Sequence, residues 1–438
     1  MRTVILVVTA MLATTAAWAQ AGSARPAPTG ATVISLRDAV KAAVQANPNA
    51  LAAQRGIDVA RAKLRQAEVA ENPTLSLQAR YSYLSKPTLF GGMEVFARNT
   101  ETNALVLTKP LLTWGRTQAA KEQARNGVAA STSQATAARD EVAAGAAQAY
   151  LQVLEAHDAI GVADQAVKAL EAARDAAERM RQAGAAAKAD VLRTQVELDR
   201  ARENAVKARN AYQEALAALR NAMGLPQDAP IEVSSEGADV PLPAPDAKPA
   251  RSDVAALEAS VRAAEAGVLA ARRSNKPQLG AYADFQNIGA GAEFPRRDNT
   301  VNMALQLTLT VSDGGVTRAK VSEAEATLAQ LREQLEAARQ RVDMEVSQAR
   351  LALSSAEARV AATSTQVQSA EESFRVLEVG YREGVNPLTD VLAAQAALEA
   401  ARYARLAALY DVQIARVGLL RAMGLIGPTM ISESPSAK

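Results

Sequence analysis

From Val301 to Val311 every odd position is apolar, while the even positions are Asn302, Ala304, Gln306, Thr308 and Thr310. This period of two predicts a strand over about 300–312 with one apolar and one polar face. Its length approaches what a tilted strand needs to cross a bilayer. Leu75 to Tyr83 alternates in the same way and predicts a strand at about 74–84; a weaker partner follows at 99–110. Leu279 to Gln286 predicts another at about 278–287. Loops bearing Pro87, Gly91 and Gly92, or Gly289, Gly291 and Pro295, separate the members of each pair.

Everything around these strands is helical in pattern. Leu36 opens a short helix that yields at Asn47-Pro48 to a second one, since proline suits a first helical turn and disfavours helix before it. Longer helices are expected at about 116–182, 189–223, 317–382 and 387–423, with another from Ser252 to Ser274. A helix running from 116 to 182 would be about 100 Å long. Residues 20–34 read as disordered, 225–250 as a Pro-rich linker and 425–438 as a tail.

The order strand, strand, long helix, helix occurs twice. At an offset of 200 (315 − 115), Leu105, Leu107, Gly115, Gly184, Asp190-Val191-Leu192, Gln195 and Ala222-Met223-Gly224-Leu225 all recur. Matches over more than a hundred positions mark an internal duplication. It divides the chain into repeats at 20–224 and 251–424. Ahead of the strands the offset becomes 204 (277 − 73), so the first hairpin loop is four residues longer.

Composition narrows the function. Lys and Arg number 49 against 47 Asp and Glu, which argues against a nucleic-acid footprint. There is no Cys and one His, His157, so thiolate and multi-His metal sites are excluded within one chain. No nucleophile–base pattern appears, so no enzyme activity and no cofactor are expected. Arg2, the apolar run Val4 to Ala13 and Ala17-Trp18-Ala19 read as a signal peptide over 1–19. No Cys follows to carry a lipid. No later stretch is apolar enough for a spanning helix, so any membrane crossing falls to the strands.

Four strands cannot close a barrel, and an open edge in hydrocarbon leaves backbone groups unpaired. Two copies would give eight strands around a filled interior; three would give twelve around a lumen. The polar face favours three. The fold class expected is therefore mainly α with a membrane β-barrel, a trimeric 12-stranded barrel continued by an α-helical barrel.

The chain resembles the outer-membrane efflux proteins, the TolC family. Asn47-Pro48, Leu107 to Arg116 with its copy at Leu307 to Gly315, and Gly380-Tyr381-Arg382-Glu383-Gly384 leading to Asp390-Val391-Leu392 carry the resemblance. It implies a homotrimer in the outer membrane lipid, with the helical barrel in the periplasm. It also implies a periplasmic adaptor, and an inner-membrane pump or secretion transporter. The expected function is the gated, passive exit duct of a tripartite efflux pump. The alternatives are the duct of a type I protein secretion system and an exported trimeric stalk without a transport role. Four strands paired inside the repeats count against the stalk.

By that resemblance the gate lies at the far helix ends. Its candidates are Asp190, Tyr381, Asn386 and Asp390, and the adaptor-docking tip candidates are Gly184, Gly384 and Arg382. Three Asp390 carboxylates around one axis would repel each other and concentrate cations. Asn386 stands where better-known members have an arginine that binds the first hairpin's aspartate, and Ala393 where they have a second aspartate ring. Both departures imply a more weakly locked entrance, with Arg193 and Arg382 as candidate replacement partners. Asp190 and Asp390 also fall in a first helical turn, where the dipole alone favours a carboxylate. Trp114 falls at a strand-to-helix junction, a position suited to an interfacial aromatic, and Arg296-Arg297 reads as a loop tip.

Overall fold

The alternating segments do form a sheet. The computed structural model describes residues 32–86, 88–90, 93–96, 98–290 and 296–431; the predicted signal segment lies outside them. In chain order the elements begin with β1 (Thr32–Ile34), α1 (Leu36–Ala46), α2 (Pro48–Val69) and β2 (Thr74–Tyr83). A small hairpin of β3 (Thr88–Phe90) and β4 (Met93–Phe96) leads into β5 (Asn99–Leu112). Then come α3 (Arg116–Gln182), α4 (Lys188–Met223), β6 (Ile231–Val233) and α5 (Ser252–Arg272). β7 (Gln278–Ala290), β8 (Arg296–Thr308), α6 (Val316–Arg382), α7 (Leu388–Met423) and α8 (Ile426–Ile431) complete the chain.

The main sheet is antiparallel with order β2-β5-β7-β8, which leaves β2 and β8 as open edges. Its register sorts the side chains by face. Leu75, Leu107, Ala283 and Met303 form one cross-strand row, and Leu77, Leu105, Phe285 and Val301 the next. Ser76, Val106, Asp284 and Asn302 form a row on the opposite face. Facing partners lie on the same side of a pleated sheet, so one face is an apolar band and the other is largely polar. The polar face is enclosed along the two middle strands, where Val106 and Asp284 are 6% and 3% exposed, while its edge residues such as Ser76 and Asn302 are open; on the apolar face Leu77 and Met303 are 76% and 82% exposed. Asp284 there accepts a hydrogen bond from Asn302 Nδ2 at 3.2 Å.

Strand ends differ from the expectation. β8 covers 296–308, not 300–312, because its partner β7 begins at Gln278, opposite Thr308, and nothing pairs with residues beyond. At the other end β7 runs to Ala290, so Gly289 and Arg296-Arg297 sit in the ladder and not in a loop. Pro87, Gly91, Gly92, Gly291 and Pro295 lie outside the described residues.

Each strand pair passes into a 67-residue helix through a left-handed turn. In the first copy the turn is Trp114 (φ 46°) and Gly115 (φ 76°), and in the second Gly314 (φ 64°) and Gly315 (φ 92°). Glycine carries no steric cost there, so the second junction is the less strained. Trp114 at that junction is 41% exposed. Asp313 caps the second junction, accepting from Gly315 N at 3.0 Å and Thr317 N at 2.7 Å. Arg273, just past α5, donates to Gly115 O at 2.9 Å and ties the first junction to the second repeat.

The helices pair as two hairpins, α3 with α4 and α6 with α7; α5 lies against α3 and α6, and α7 against α3. Alanine dominates the buried face of α3, with Ala143, Ala144, Ala146, Ala147 and Ala149 all buried. Small side chains let the helix axes approach closely. Among the described residues no helix is long and apolar enough to cross a membrane.

Three segments read as irregular are built into this core. Residues 32–34 form β1, which pairs in parallel with β6 inside the predicted linker. The buried Tyr150 hydroxyl lies 2.7 Å from Ile34 O and 2.6 Å from Ser234 O, and accepts from Ser234 N. The predicted tail likewise forms α8, which buries Ile426 and Met430. Short pairing partners far apart in sequence leave no periodic signal, which is why these were missed.

Arg251 is the polar hub between the repeat's ends. It donates to Asp253 at 2.8 Å and to Glu345 at 2.7 Å, beside the Ala422 carbonyl that ends α7. The Arg251 hydrogen bond holds the Asp253 carboxyl below its ordinary value of 3.8. A lowered carboxylate contributes stability that is full above that ordinary value and is lost as pH falls through the lowered one. Arg251→Met should therefore cost about 1–2 kcal/mol near neutral pH and less at about pH 3. Thermal loss of helical circular dichroism at the two pH values measures it; an equal loss at both would contradict the ion-pair origin.

Candidate functional site

The turns at Gly184 and Gly384 lie a full 67-residue helix, about 100 Å, from the strands. Both glycines have φ 77° and close the same motif. Ala185 N bonds Met180 O at 2.8 Å, and Val385 N bonds Gly380 O at 2.7 Å. The left-handed C-terminal residue satisfies helix carbonyls that would otherwise be orphaned. In each turn glycine is the residue that adopts this conformation without strain.

The two hairpins meet just before these turns. A groove of about 490 Å³ lies elsewhere on the sheet; here the groove is about 360 Å³, walled by Leu170, Ala173 and Met180 of α3 and by Phe374, Tyr381 and Leu392 of the second hairpin. Leu170, Leu198 and Ala201 form the adjacent buried cluster, with Leu392 against it. The structure thus brings Tyr381 from the second repeat close to Asp190 in the first.

They are not bonded. The Tyr381 hydroxyl is buried without a hydrogen-bond partner. Burial, and secondarily the Asp190 charge, push its pKa above the usual phenol value. Asp190 sits in the first turn of α4, where its closest cation is Arg193 at 3.8 Å. Thr194, fully buried, donates to the Asp190 carbonyl at 2.9 Å and fixes that turn. Of the two arginines considered as replacement partners, then, Arg193 lies beside Asp190. Arg382 instead pairs with Glu378 on its own helix at 2.6 Å.

Asn386 turns back on its own hairpin. Its N–H bonds Gly380 O at 3.1 Å, and a Cβ built on Gly380 would collide with Asn386 Nδ2. Among the described residues it makes no hydrogen bond to Asp190. The sequence gives a retrospective signal for this: at the same repeat positions the first copy has Met180 and Ala186, a large residue and a small one exchanged for Gly380 and Asn386.

Asp390 is exposed at the first turn of α7, with Thr389 Oγ1 at 3.5 Å. Val391 and Gln395, one turn on, are buried against the hairpin, so the helix fixes the direction in which Asp390 projects. Other carboxylates nearby are matched within their own helices. Arg181 and Gln182 hold Glu178 down at about 2, and Arg375 holds Glu372 below its usual range. His157 lies far from this tip in sequence, with its ring edge on Tyr212 and Asp158 at 3.3 Å.

A four-stranded sheet with an apolar band and open edges, joined to two helical hairpins with a polar tip, defines a membrane-anchored protein with a long helical extension. The sequence profile described as "Outer membrane efflux protein" matches residues 39–225 and 244–425, one span for each repeat. The chain belongs to that family, and its place is the outer membrane with the helices in the periplasm. It is 24% identical over 400 residues to Outer membrane protein TolC of Escherichia coli K12, covering 87% of this chain and 80% of TolC. A membrane protein from Pseudomonas aeruginosa shares 25% identity with a TM-score of 0.78, covering 89% of this chain and 90% of that one. CusC, at 19% identity and TM-score 0.76, covers 89% and 91%.

Because the Tyr381 hydroxyl has no partner, Tyr381→Phe removes an unsatisfied polar group and no bond. Thermal stability should stay level or rise by up to about 1 kcal/mol, and single-channel conductance should not change. A conductance increase would show that Tyr381 locks the tip.

Proposed function

We propose that three copies close into a 12-stranded barrel continued by a helical tube, forming the gated, passive exit duct of a tripartite efflux pump. The observation that carries this is the four-stranded sheet itself. Both edges are open, one face is an apolar band, and the other is largely polar and enclosed along its middle strands. In hydrocarbon each open edge must find another strand. Joining β8 of one copy to β2 of the next satisfies both edges by rotation, and twelve strands leave a lumen. This brings to the chain the transmembrane channel formation described for CusC.

The helices then carry the conduit across the periplasm to the tip, where a periplasmic adaptor and an inner-membrane pump would engage around Gly184, Gly384 and Arg382. Energy comes from the pump, since the duct only opens and closes. At the entrance, Asp390 from three copies forms a ring of negative charge, and Tyr381, unbonded, and Asn386, bonded within its own turn, leave the closed state weakly held.

Detergent-extracted protein should be trimeric and should conduct ions in planar bilayers. Asp390→Ala should raise conductance or weaken divalent-cation block, and no change in either would overturn the gate. Cells lacking the gene should accumulate small exported compounds while their protein secretion stays intact; the reverse would favour the secretion duct.

A further inference from the structure

The apolar band is not smooth. On it lies a groove of about 490 Å³ floored by Ala281 and Ala283 of β7, with Leu107 and Lys109 of β5 on one side and Met303 and Leu305 of β8 on the other. The register explains the shape: Leu107 faces Ala283 and Met303, and Lys109 faces Ala281 and Leu305. Two alanines between longer side chains leave a trough along the strand. Its volume is within the range of small-molecule sites.

Lys109 gives the groove a polarity. It is exposed, it has no ion-pair partner among the described residues, and no other lysine or arginine with a described side chain lies on this sheet face. β5 runs from Lys109 to Leu112 and into the periplasmic helix α3, so Lys109 marks the periplasmic end of the trough. A lysine stem lies along apolar surface while its ammonium reaches for the interface. At that level the interface is the headgroup layer of the periplasmic leaflet, and an anionic phosphate there is the matching charge.

We propose that this groove is a binding site for a glycerophospholipid of the periplasmic leaflet. One acyl chain would lie over Ala281 and Ala283, with the phosphate on Lys109. The inference needs the membrane-facing sheet but not the exit-duct reading. β8 is an edge and a neighbouring copy would pair beside it in the plane of the sheet, so assembly leaves the groove facing lipid.

Native mass spectrometry of the protein extracted in mild detergent tests it, with total phospholipid extract added as the probe. The wild-type chain should retain one phospholipid per protomer. Ala283→Leu should abolish retention by filling the trough. Lys109→Gln should lower it about fivefold, the effect of one lysine at a lipid phosphate. Ala79→Leu, on the same face outside the groove, should leave retention unchanged. Retention by Ala283→Leu at the wild-type level, or lipopolysaccharide in place of phospholipid, would overturn the site. The same spectra report oligomer mass: single protomers that each retain one phospholipid would uphold the groove while overturning the trimer.

Discussion

Unpaired backbone at the two edges of a four-stranded sheet is the constraint on which the rest of the structure depends. Water can solvate a free strand edge, but hydrocarbon cannot, and each unpaired group there costs several kcal/mol. β2 and β8 both have such edges. Among the described residues no spare strand covers them: the other strands, β1 with β6 and β3 with β4, form separate two-stranded sheets. The sheet is therefore complete only in an assembly, and the apolar band and polar interior take their meaning from that closure.

Duplication supplies the means. Each repeat contributes two strands and one long helical hairpin, and the left-handed junction that joins them is made twice by different residues. Trp114 at φ 46° does in the first copy what Gly314 does in the second, and Asp313 adds a cap that Thr113 does not reproduce in kind. Shared geometry thus tolerates divergent chemistry. Arg273 of the second copy reaches the first junction, while Arg251 ties the start of the second repeat to its end by gathering Asp253, Glu345 and the end of α7.

What could be read from the sequence follows from what repeats. Alternation over Val301 to Leu307 and Leu75 to Tyr83 exposed the strands, because a two-faced sheet writes its environment into every second residue. The two long helices were legible from the absence of proline between junction and tip glycine. The β1–β6 pair was not legible, since three-residue strands joined by Tyr150 across the chain have neither period nor motif. The end of β8 depended on where β7 begins, which is information outside the strand itself. Of the tip residues, family resemblance pointed to Asp190, Tyr381, Asn386 and Asp390, but not to which of them touch.

Divergence between the two tips explains why that contact pattern departs from symmetry. Both turns have the same backbone, with glycine at 184 and 384 and the same closing hydrogen bonds. The first turn is lined by Met180, Arg181, Ala186 and Lys188, the second by Gly380, Tyr381, Asn386 and Leu388. Leu388 is buried where Lys188 is exposed, so the second tip is drawn into its hairpin while the first remains hydrated. Gly380 makes room for Asn386 within the same turn, which keeps that amide from the neighbouring hairpin. With the Asn386 backbone N–H bonded inside its own turn and the Tyr381 hydroxyl without a partner, neither group bonds across to the first hairpin. Between the hairpins, Leu392 packs on Leu170 and Leu198 near the tip, and further from it Tyr403 and Tyr410 of α7 reach Ala159 O and Asp158 of α3.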